Sequence, residues 1–239
     1  MLKRWLSNLL GTNTLYFPGC VTHFALPMIA RRYETLLRRA GVDFIVLPGE
    51  TFCCGSPVKR AGYFEDFEAL KRKNLDNFAR FSIGRVITNC PGCYHTLKFD
   101  YGLEAYHVTQ VLFERIGDNQ GPVATRTAAV TYHDPCHLGR WSEIYEEPRR
   151  LLANAGWRVE ELPDNREHSL CCGAGGGVKS NFPALANAIA CQRLKQVSRG
   201  PLCTACPLCF SHFKENAEGI EILELSEALT ILQEQRADS

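Results

Sequence analysis

One pattern of five cysteines occurs twice along this chain of 239 residues, in the same order and at nearly the same spacing. The first set is Cys20, the adjacent Cys53 and Cys54, then Cys90 and Cys93. The second is Cys136, the adjacent Cys171 and Cys172, then Cys206 and Cys209. Cys20, Cys90 and Cys93 recur 116 residues later, and Cys53 and Cys54 recur 118 residues later. Their neighbours repeat as well. Cys-Cys-Gly ends at Gly55 and again at Gly173, and Pro91 and Pro207 follow the first cysteine of each closing Cys-x-x-Cys. Five positions recurring in order, with matching neighbours, indicate internal duplication, so two copies of one folding unit are expected.

The segments between the cysteines say what that unit is. Residues 15–17 form a short β-prone run before Cys20, and residues 25–40 carry helical apolar spacing that stops at Gly41. Residues 44–47 read as a second strand running into a Pro48-Gly49 turn, residues 63–81 as a helix, and residues 85–88 as a third strand before Cys90. The second half repeats the order, with strands at 128–132, 157–162 and 201–204 and helices at 148–155 and 184–197. Strands alternating with helices specify a parallel sheet with right-handed crossovers. The expected fold is therefore α/β: two tandem pseudo-repeat domains, each a parallel sheet with flanking helices of the Rossmann-like or flavodoxin-like kind. The first domain is expected over residues 13–120 and the second over 121–239, with the linker near residues 117–126. In such sheets the loops at the carboxyl ends of the strands lie together. Cysteines that follow strands can thus meet although some 35 residues separate them in sequence. Each closing Cys-x-x-Cys is expected where a helix begins, with its N–H groups turned toward the thiolates.

Composition narrows the chemistry. Lys and Arg number 27 against 26 Asp and Glu, a net charge of +1, which argues against nucleic acid as a partner. No apolar run approaches the ~18 residues of a membrane-spanning helix. The opening residues 1–14 place Lys3 and Arg4 before leucines, but Ser7 and Asn8 interrupt the run and no small-residue cleavage site follows. A short helical or loose extension and a cytoplasmic location are expected, with contact to a membrane only through a partner. The cytoplasm keeps most thiols reduced, and twelve cysteines clustered in this way then favour metal over disulfides.

Phe17-Pro18-Gly19-Cys20, Phe52-Cys53-Cys54-Gly55, Thr88-Asn89-Cys90-Pro91-Gly92-Cys93, His133-Asp134-Pro135-Cys136-His137 and the run Cys171-Cys172-Gly173-Ala174-Gly175-Gly176 together resemble the cysteine-rich CCG domain family. Its best-known member is the B subunit of heterodisulfide reductase. Similar duplicated domains occur in the iron–sulfur subunits of complexes that oxidise glycolate, lactate and glycerol 3-phosphate. The resemblance implies one or two non-cubane [4Fe–4S] clusters, bound by Cys20, Cys53, Cys54, Cys90 and Cys93 in one half and by Cys136, Cys171, Cys172, Cys206 and Cys209 in the other. It implies an oxidoreductase subunit that transfers electrons to a disulfide. It also implies partner redox subunits, a ferredoxin-like cubane iron–sulfur chain and a flavoprotein. The alternative within the same resemblance is an electron-transfer subunit of a flavin-dependent lactate, glycolate or glycerol-3-phosphate dehydrogenase. A zinc-stabilised scaffold module is the alternative of another class, with zinc at one site as its partial form.

Several details bear on these readings. An ordinary cubane takes four thiolates, so the fifth in each set bridges two irons, supports from outside the ligand shell, or is redundant. The second set departs slightly, with 33 residues between its adjacent pair and its closing pair against 35 in the first. No Cys-x2-Cys-x2-Cys-x3-Cys-Pro run occurs, so the electrons come from, or go to, another polypeptide. Cys203 is expected to be a buried strand-end residue and Cys191 plain core packing. The run Gly173 to Gly177 lacks the Lys-Ser/Thr of a phosphate loop and is expected, like Gly55 and Gly92, to bring backbone N–H groups close to sulfur. His23, His95, His133 and His137 crowd the motifs, either as supporting hydrogen-bond partners or as proton relays.

Overall fold

The computed structural model describes residues 13–47, 53–117 and 128–230. The expected N-terminal extension, the Pro48-Gly49 turn and most of the expected linker lie outside the described residues.

The first repeat builds a parallel sheet of β1 (Asn13–Tyr16), β2 (Ile83–Thr88) and β3 (Ala105–His107), in the order β1-β2-β3. The expected strand at residues 44–47 reduces to a single parallel bridge, Leu15 to Ile45, on the free side of β1. The second repeat forms β4 (Ala129–His133), β5 (Arg158–Glu161), β6 (Leu202–Thr204) and β7 (Ile222–Glu224), in the order β5-β4-β6-β7. With Ile45 counted as the missing edge, both halves share one order, 2-1-3-4, which opens the flavodoxin-like arrangement. All of the ladder pairings are parallel.

β3 and β7 were not expected from the sequence. Each has only three residues, too few for an alternating pattern to register. The four longest expected helices are present, as Pro27–Arg39, Phe64–Arg80, Glu146–Ala155 and Pro183–Leu194. Pro27 and Pro183 stand at the first turn, where a missing N–H costs nothing.

Strand alternation decides what each face buries. In the first repeat Leu15, Phe17 and Val86 point into one core with Phe67, Phe78 and Leu97, whereas Tyr16 and Ile87 point into another with Ile29, Tyr33 and Leu37. The second core continues without a break into the second repeat through Val130, Tyr132, Leu151, Leu152 and Phe213. The two repeats are thus welded along one apolar layer, and the Val108–Ile116 helix of the first packs on the Glu146–Ala155 helix of the second. Polar pins cross the same seam. Tyr33 donates to Glu224 at 2.7 Å, Arg32 pairs with Glu227 at 2.7 Å, and Asn154 Nδ2 donates to the Gly117 carbonyl at 2.8 Å. A parallel sheet covered on both faces explains why its strands read as near-continuous apolar runs.

Candidate metal centres

Each cysteine loop leaves the carboxyl end of its sheet. Cys20 follows β1 and Cys90 follows β2, on either side of the point where the chain switches direction across the sheet. Cys136 and Cys206 follow β4 and β6 in the same way. Cys90 and Cys206 each precede a helix with proline at its first turn, at Pro91–His95 and Pro207–Asn216, as the closing pairs led one to expect.

The ten motif cysteines gather into two groups of five. In the first, Cys20 hydrogen-bonds Cys53, and Cys93 hydrogen-bonds both Cys54 and Cys90. In the second, Cys171 bonds Cys136 and Cys172, while Cys209 bonds Cys206 and, at 3.1 Å, Cys172. No three His, Cys, Asp or Glu side chains among the described residues surround a common point as one ion would require; the sulfurs meet in linked pairs. Cys54, Cys93, Cys172, Cys206 and Cys209 are buried, whereas Cys171 is exposed.

The two groups share an electrostatic pattern. Hydrogen bonding from Cys20 pulls the Cys53 thiol down to about 6, and Cys20 is pushed up in return. Hydrogen bonds from Cys136 and then Cys172 pull Cys171 down to about 2, and Cys136 rises. Backbone adds to this, because Gly55 N–H donates to Cys53 Sγ at 3.4 Å and Gly173 N–H to Cys171 Sγ at 3.3 Å. Both glycines sit at positive φ, +82° and +88°, where an L side chain is strained. A Cβ on Gly55 would stand 2.7 Å from Phe67, and one on Gly173 would stand 2.6 Å from the Ala186 carbonyl oxygen. Gly92 follows the same expectation at the closing pair, where its N–H and that of Cys93 hydrogen-bond the Cys90 sulfur, although a Cβ there would meet Cys90 Sγ only at an ordinary 3.9 Å. In the second glycine run only Gly173 reaches sulfur; a Cβ on Gly175 or Gly176 would meet open space.

The supporting shells differ. In the first repeat they are neutral: Tyr16 donates to Asn89, whose Nδ2 donates to Thr22, both at 2.9 Å. Asn74 Nδ2 donates to the Cys53 carbonyl at 2.9 Å, and Tyr101 donates to the Cys54 carbonyl at 3.1 Å. In the second repeat they are charged. Arg149 grips Asp134 through two bonds of 2.7 and 2.8 Å and also pairs with Glu161 at 2.7 Å. Arg193, fully buried, donates to His133 Nδ1 at 3.2 Å and to Ser169 Oγ at 3.0 Å, and Ser169 Oγ donates to the Asp134 carbonyl. That chain ties the Cys136 loop to the Cys171 loop.

Burial lowers His133 to about 3 and His137 to about 4, and it also lowers His95. Each is a neutral imidazole near pH 7. His137 Nδ1 lies 3.3 Å from Cys136 Sγ. Its ring stacks on Trp141, 5.0 Å between centroids, and Trp141 also meets His95 of the first repeat at 5.2 Å and lies under the Arg60 guanidinium at 4.3 Å. This aromatic contact joins the surroundings of the two groups.

Two further sequence expectations meet different fates. Cys203 is buried in the middle of β6, paired with Tyr132 and Leu223. Cys191 is exposed, because the buried face of its helix runs through Ala186, Ala190, Arg193 and Leu194 instead. Arg193, Asn74, Arg60 and Trp141 were missed. Only Arg193 left a signal, a charged residue seven positions after Ala186 and three after Ala190 on an otherwise small apolar face.

Comparison with known proteins bears on this geometry. The family model described as "CCG: Cysteine-rich domain" matches residues 14–98 and again 130–214. The chain belongs to the CCG cysteine-rich domain family. Both matched segments contain one five-cysteine group entire. An uncharacterized iron–sulfur protein of Methanocaldococcus jannaschii is 37% identical, over 84% of this chain and 41% of its own length. The D subunit of the dihydromethanophenazine:CoB–CoM heterodisulfide reductase of Methanosarcina barkeri is 30% identical, over 87% of this chain and 54% of its own. The EtfAB:quinone oxidoreductase of Syntrophomonas wolfei is 30% identical, over 91% of this chain and 32% of its own. This CCG chain therefore spans from about a third to about half the length of these relatives. Its kinship is with iron–sulfur oxidoreductase subunits. Among the described residues, no helix of the CCG chain is long and apolar enough to cross a membrane.

The ten thiols fit the iron–sulfur clusters that the family implies. Soft thiolates are the cluster's ligands, and backbone N–H groups aimed at sulfur are a known means of tuning it. Gly19, at φ +77°, leaves room where a Cβ would stand 2.8 Å from Cys93 Sγ.

Proposed function

We propose that this chain is the cluster-bearing redox subunit of a larger oxidoreductase, with Cys20, Cys53, Cys54, Cys90 and Cys93 holding one [4Fe–4S] cluster of the non-cubane type and Cys136, Cys171, Cys172, Cys206 and Cys209 holding the other. The observation that carries this reading is the convergence of five thiols, from three separate loops, at the same edge of each sheet. When bound, the clusters supply one-electron redox chemistry that thiols alone lack. The protein supplies the rest. Gly55 and Gly173 N–H groups stabilise anionic sulfur, the buried pairs Cys54–Cys93 and Cys172–Cys209 exclude water, and the exposed Cys171 faces solvent. His133, held neutral by burial, orients Arg193 rather than carrying a proton at neutral pH.

A disulfide is the substrate class this reading favours, with electrons delivered by a partner ferredoxin-like cubane chain and a flavoprotein, and with any membrane contact made through a partner. The relative named EtfAB:quinone oxidoreductase supports a second reading, in which the same two centres only conduct electrons from a flavoprotein toward a quinone. Structural zinc at one site is the remaining competitor, but a closed zinc site needs four thiolates and each group has five.

The deciding experiment measures iron, acid-labile sulfide and zinc per chain, with EPR, on protein purified without oxygen. About eight irons with matching sulfide are expected for two [4Fe–4S] centres; zinc without sulfide sinks the proposal. Turnover of a disulfide with a reduced viologen as donor then separates catalysis from conduction.

A further inference from the structure

The helix behind each Cys-Cys-Gly can be aligned by what lies under its glycine. Phe67 and Leu70 lie under Gly55, and Ala186 and Ile189 lie under Gly173. Seven residues beyond Phe67 stands Asn74; seven beyond Ala186 stands Arg193. Both are buried and both hold a cysteine loop, Asn74 through the Cys53 carbonyl and Arg193 through Ser169, two residues before Cys171. One is a neutral amide and the other a cation.

The cation also has no direct ion pair among the described residues. Among the described residues, the three hydrogen bonds of the Arg193 guanidinium all go to neutral acceptors: His133 Nδ1, Ser169 Oγ and, at 2.5 Å, Gln196 Oε1. Asp134 lies close enough to be felt, but it already receives Arg149 twice. Asp164, the other nearby carboxylate, accepts from Gln196 at 2.8 Å. Burial of a guanidinium without an ion-paired partner is costly, so its surroundings are expected to include further negative charge. The Cys209 thiol is among the groups whose charge it feels.

The first site has cations too, but at its rim. Lys59 is paired with Asp100 at 2.7 Å, Lys71 donates to the Asp100 carbonyl and Lys98 donates to Tyr94, while the exposed Arg60 covers Trp141 between the two sites. These are partly solvated and screened, whereas Arg193 is not. A buried positive charge favours the more negative, reduced state of whatever centre it adjoins.

We propose that Arg193 makes the second site the higher-potential member of the pair, with Asn74 as its neutral counterpart at the first. This rests on the reading that both sites hold iron–sulfur clusters. Arg193 is here a positioning and tuning residue, acting through charge and through the Ser169 and His133 contacts.

The test uses two full-length chains with one intact site each, Cys54→Ala for the second site and Cys172→Ala for the first. Iron and sulfide are measured before an EPR-monitored redox titration. The expected result is that the Cys54→Ala chain is reduced at the higher potential. Arg193→Asn in that chain should lower its midpoint, and Arg193→Lys should restore much of it. Iron-loaded chains titrating in the reverse order overturn the inference, as does a folded Arg193→Asn chain with an unmoved midpoint. If Arg193→Asn does not fold, the order in the two single-site chains still decides. Chains without iron and sulfide overturn the parent reading and this inference together, and the metal assay tells that outcome apart.

Discussion

The two repeats keep the same five thiols in the same topology but surround them with different chemistry. Tyr16, Asn89 and Thr22 form a neutral hydrogen-bonded chain in the first; their counterparts 116 residues on are Tyr132, Ala205 and Leu138, and the Tyr132 hydroxyl has no hydrogen-bond partner among the described residues. Phe17, Pro18 and Tyr33 correspond to His133, Asp134 and Arg149, so the second repeat gains a buried ion-pair network where the first has apolar and phenolic packing. Duplication fixed the donors. Each copy then solved separately the problem of holding three loops together. A thiol group tolerates either solution, because what it requires of its neighbours is position and an N–H aimed at sulfur, which Gly55 and Gly173 supply alike.

The largest expected effect breaks the equivalence at its root. Cys54→Ala and Cys172→Ala should each remove one of two centres, so iron and sulfide should fall by about half in either variant. An equal loss means the two groups are equivalent as binding sites. Full iron in one variant would mean that its thiol is dispensable and that the two sets bind differently.

Next in size is the cost of the charged scaffold. Asp134 is 2% exposed, and Asp134→Asn would leave Arg149 buried with only Glu161 as anionic partner. A loss of about 3 kcal/mol is expected, at the low end for breaking a buried pair. In the first repeat Asn89→Ala installs the residue that the second already has, leaving Tyr16 as unpartnered as Tyr132, for about 1–2 kcal/mol. Urea unfolding of the two variants measures the difference, and equal losses would mean that the charge network adds nothing beyond hydrogen bonding.

Much of this layout was legible in the cysteine spacing, and the physical reason is plain. Ligands of a centre at the carboxyl edge of a parallel sheet must follow strands, so the motifs marked the strand ends of β1, β2, β4 and β6 directly. Elements that carry no ligand left weaker traces. β3 and β7, of three residues each, are too short for a period-2 pattern, and residues 44–47 had the composition of a strand but keep only one bridge. Arg193 was hidden because helix periodicity records apolar faces, and a buried cation looks like a break in the pattern. The contact among His95, His137, Trp141 and Arg60 is long-range and has no local signature at all.

The seam between the repeats offers a pH test of similar size. Glu224 is fully buried, and burial raises it to about 7 despite hydrogen bonds from Ser226 and Tyr33. Between the ordinary carboxylate value and about 7 the folded chain holds a proton that the unfolded chain has released. Stability should therefore fall as pH rises through that window, by on the order of 3 kcal/mol, and level off above it. Below the window both states are protonated and the penalty vanishes. Glu224→Gln should flatten this slope, whatever it does to absolute stability. An unchanged slope would mean that the seam is not what titrates.

The smallest effect concerns the aromatic bridge between the two groups. Arg60 is exposed, and its guanidinium lies 4.3 Å above the Trp141 ring, which is itself 44% exposed. A cation over an indole at such a site contributes roughly 0.5–1 kcal/mol. Arg60→Ala and Trp141→Ala, taken singly and together, should therefore show a coupling of about that size in a double-mutant cycle. The bridge has no counterpart within either repeat, since Trp141 corresponds to Ala25 and His137 to Val21. A coupling near zero would leave the apolar layer and the polar pins of Tyr33, Arg32 and Asn154 as what holds the halves in register. A coupling well above ~1 kcal/mol would make Arg60 and Trp141 part of the framework that fixes one thiol group relative to the other, and the two sites would then no longer be separable modules.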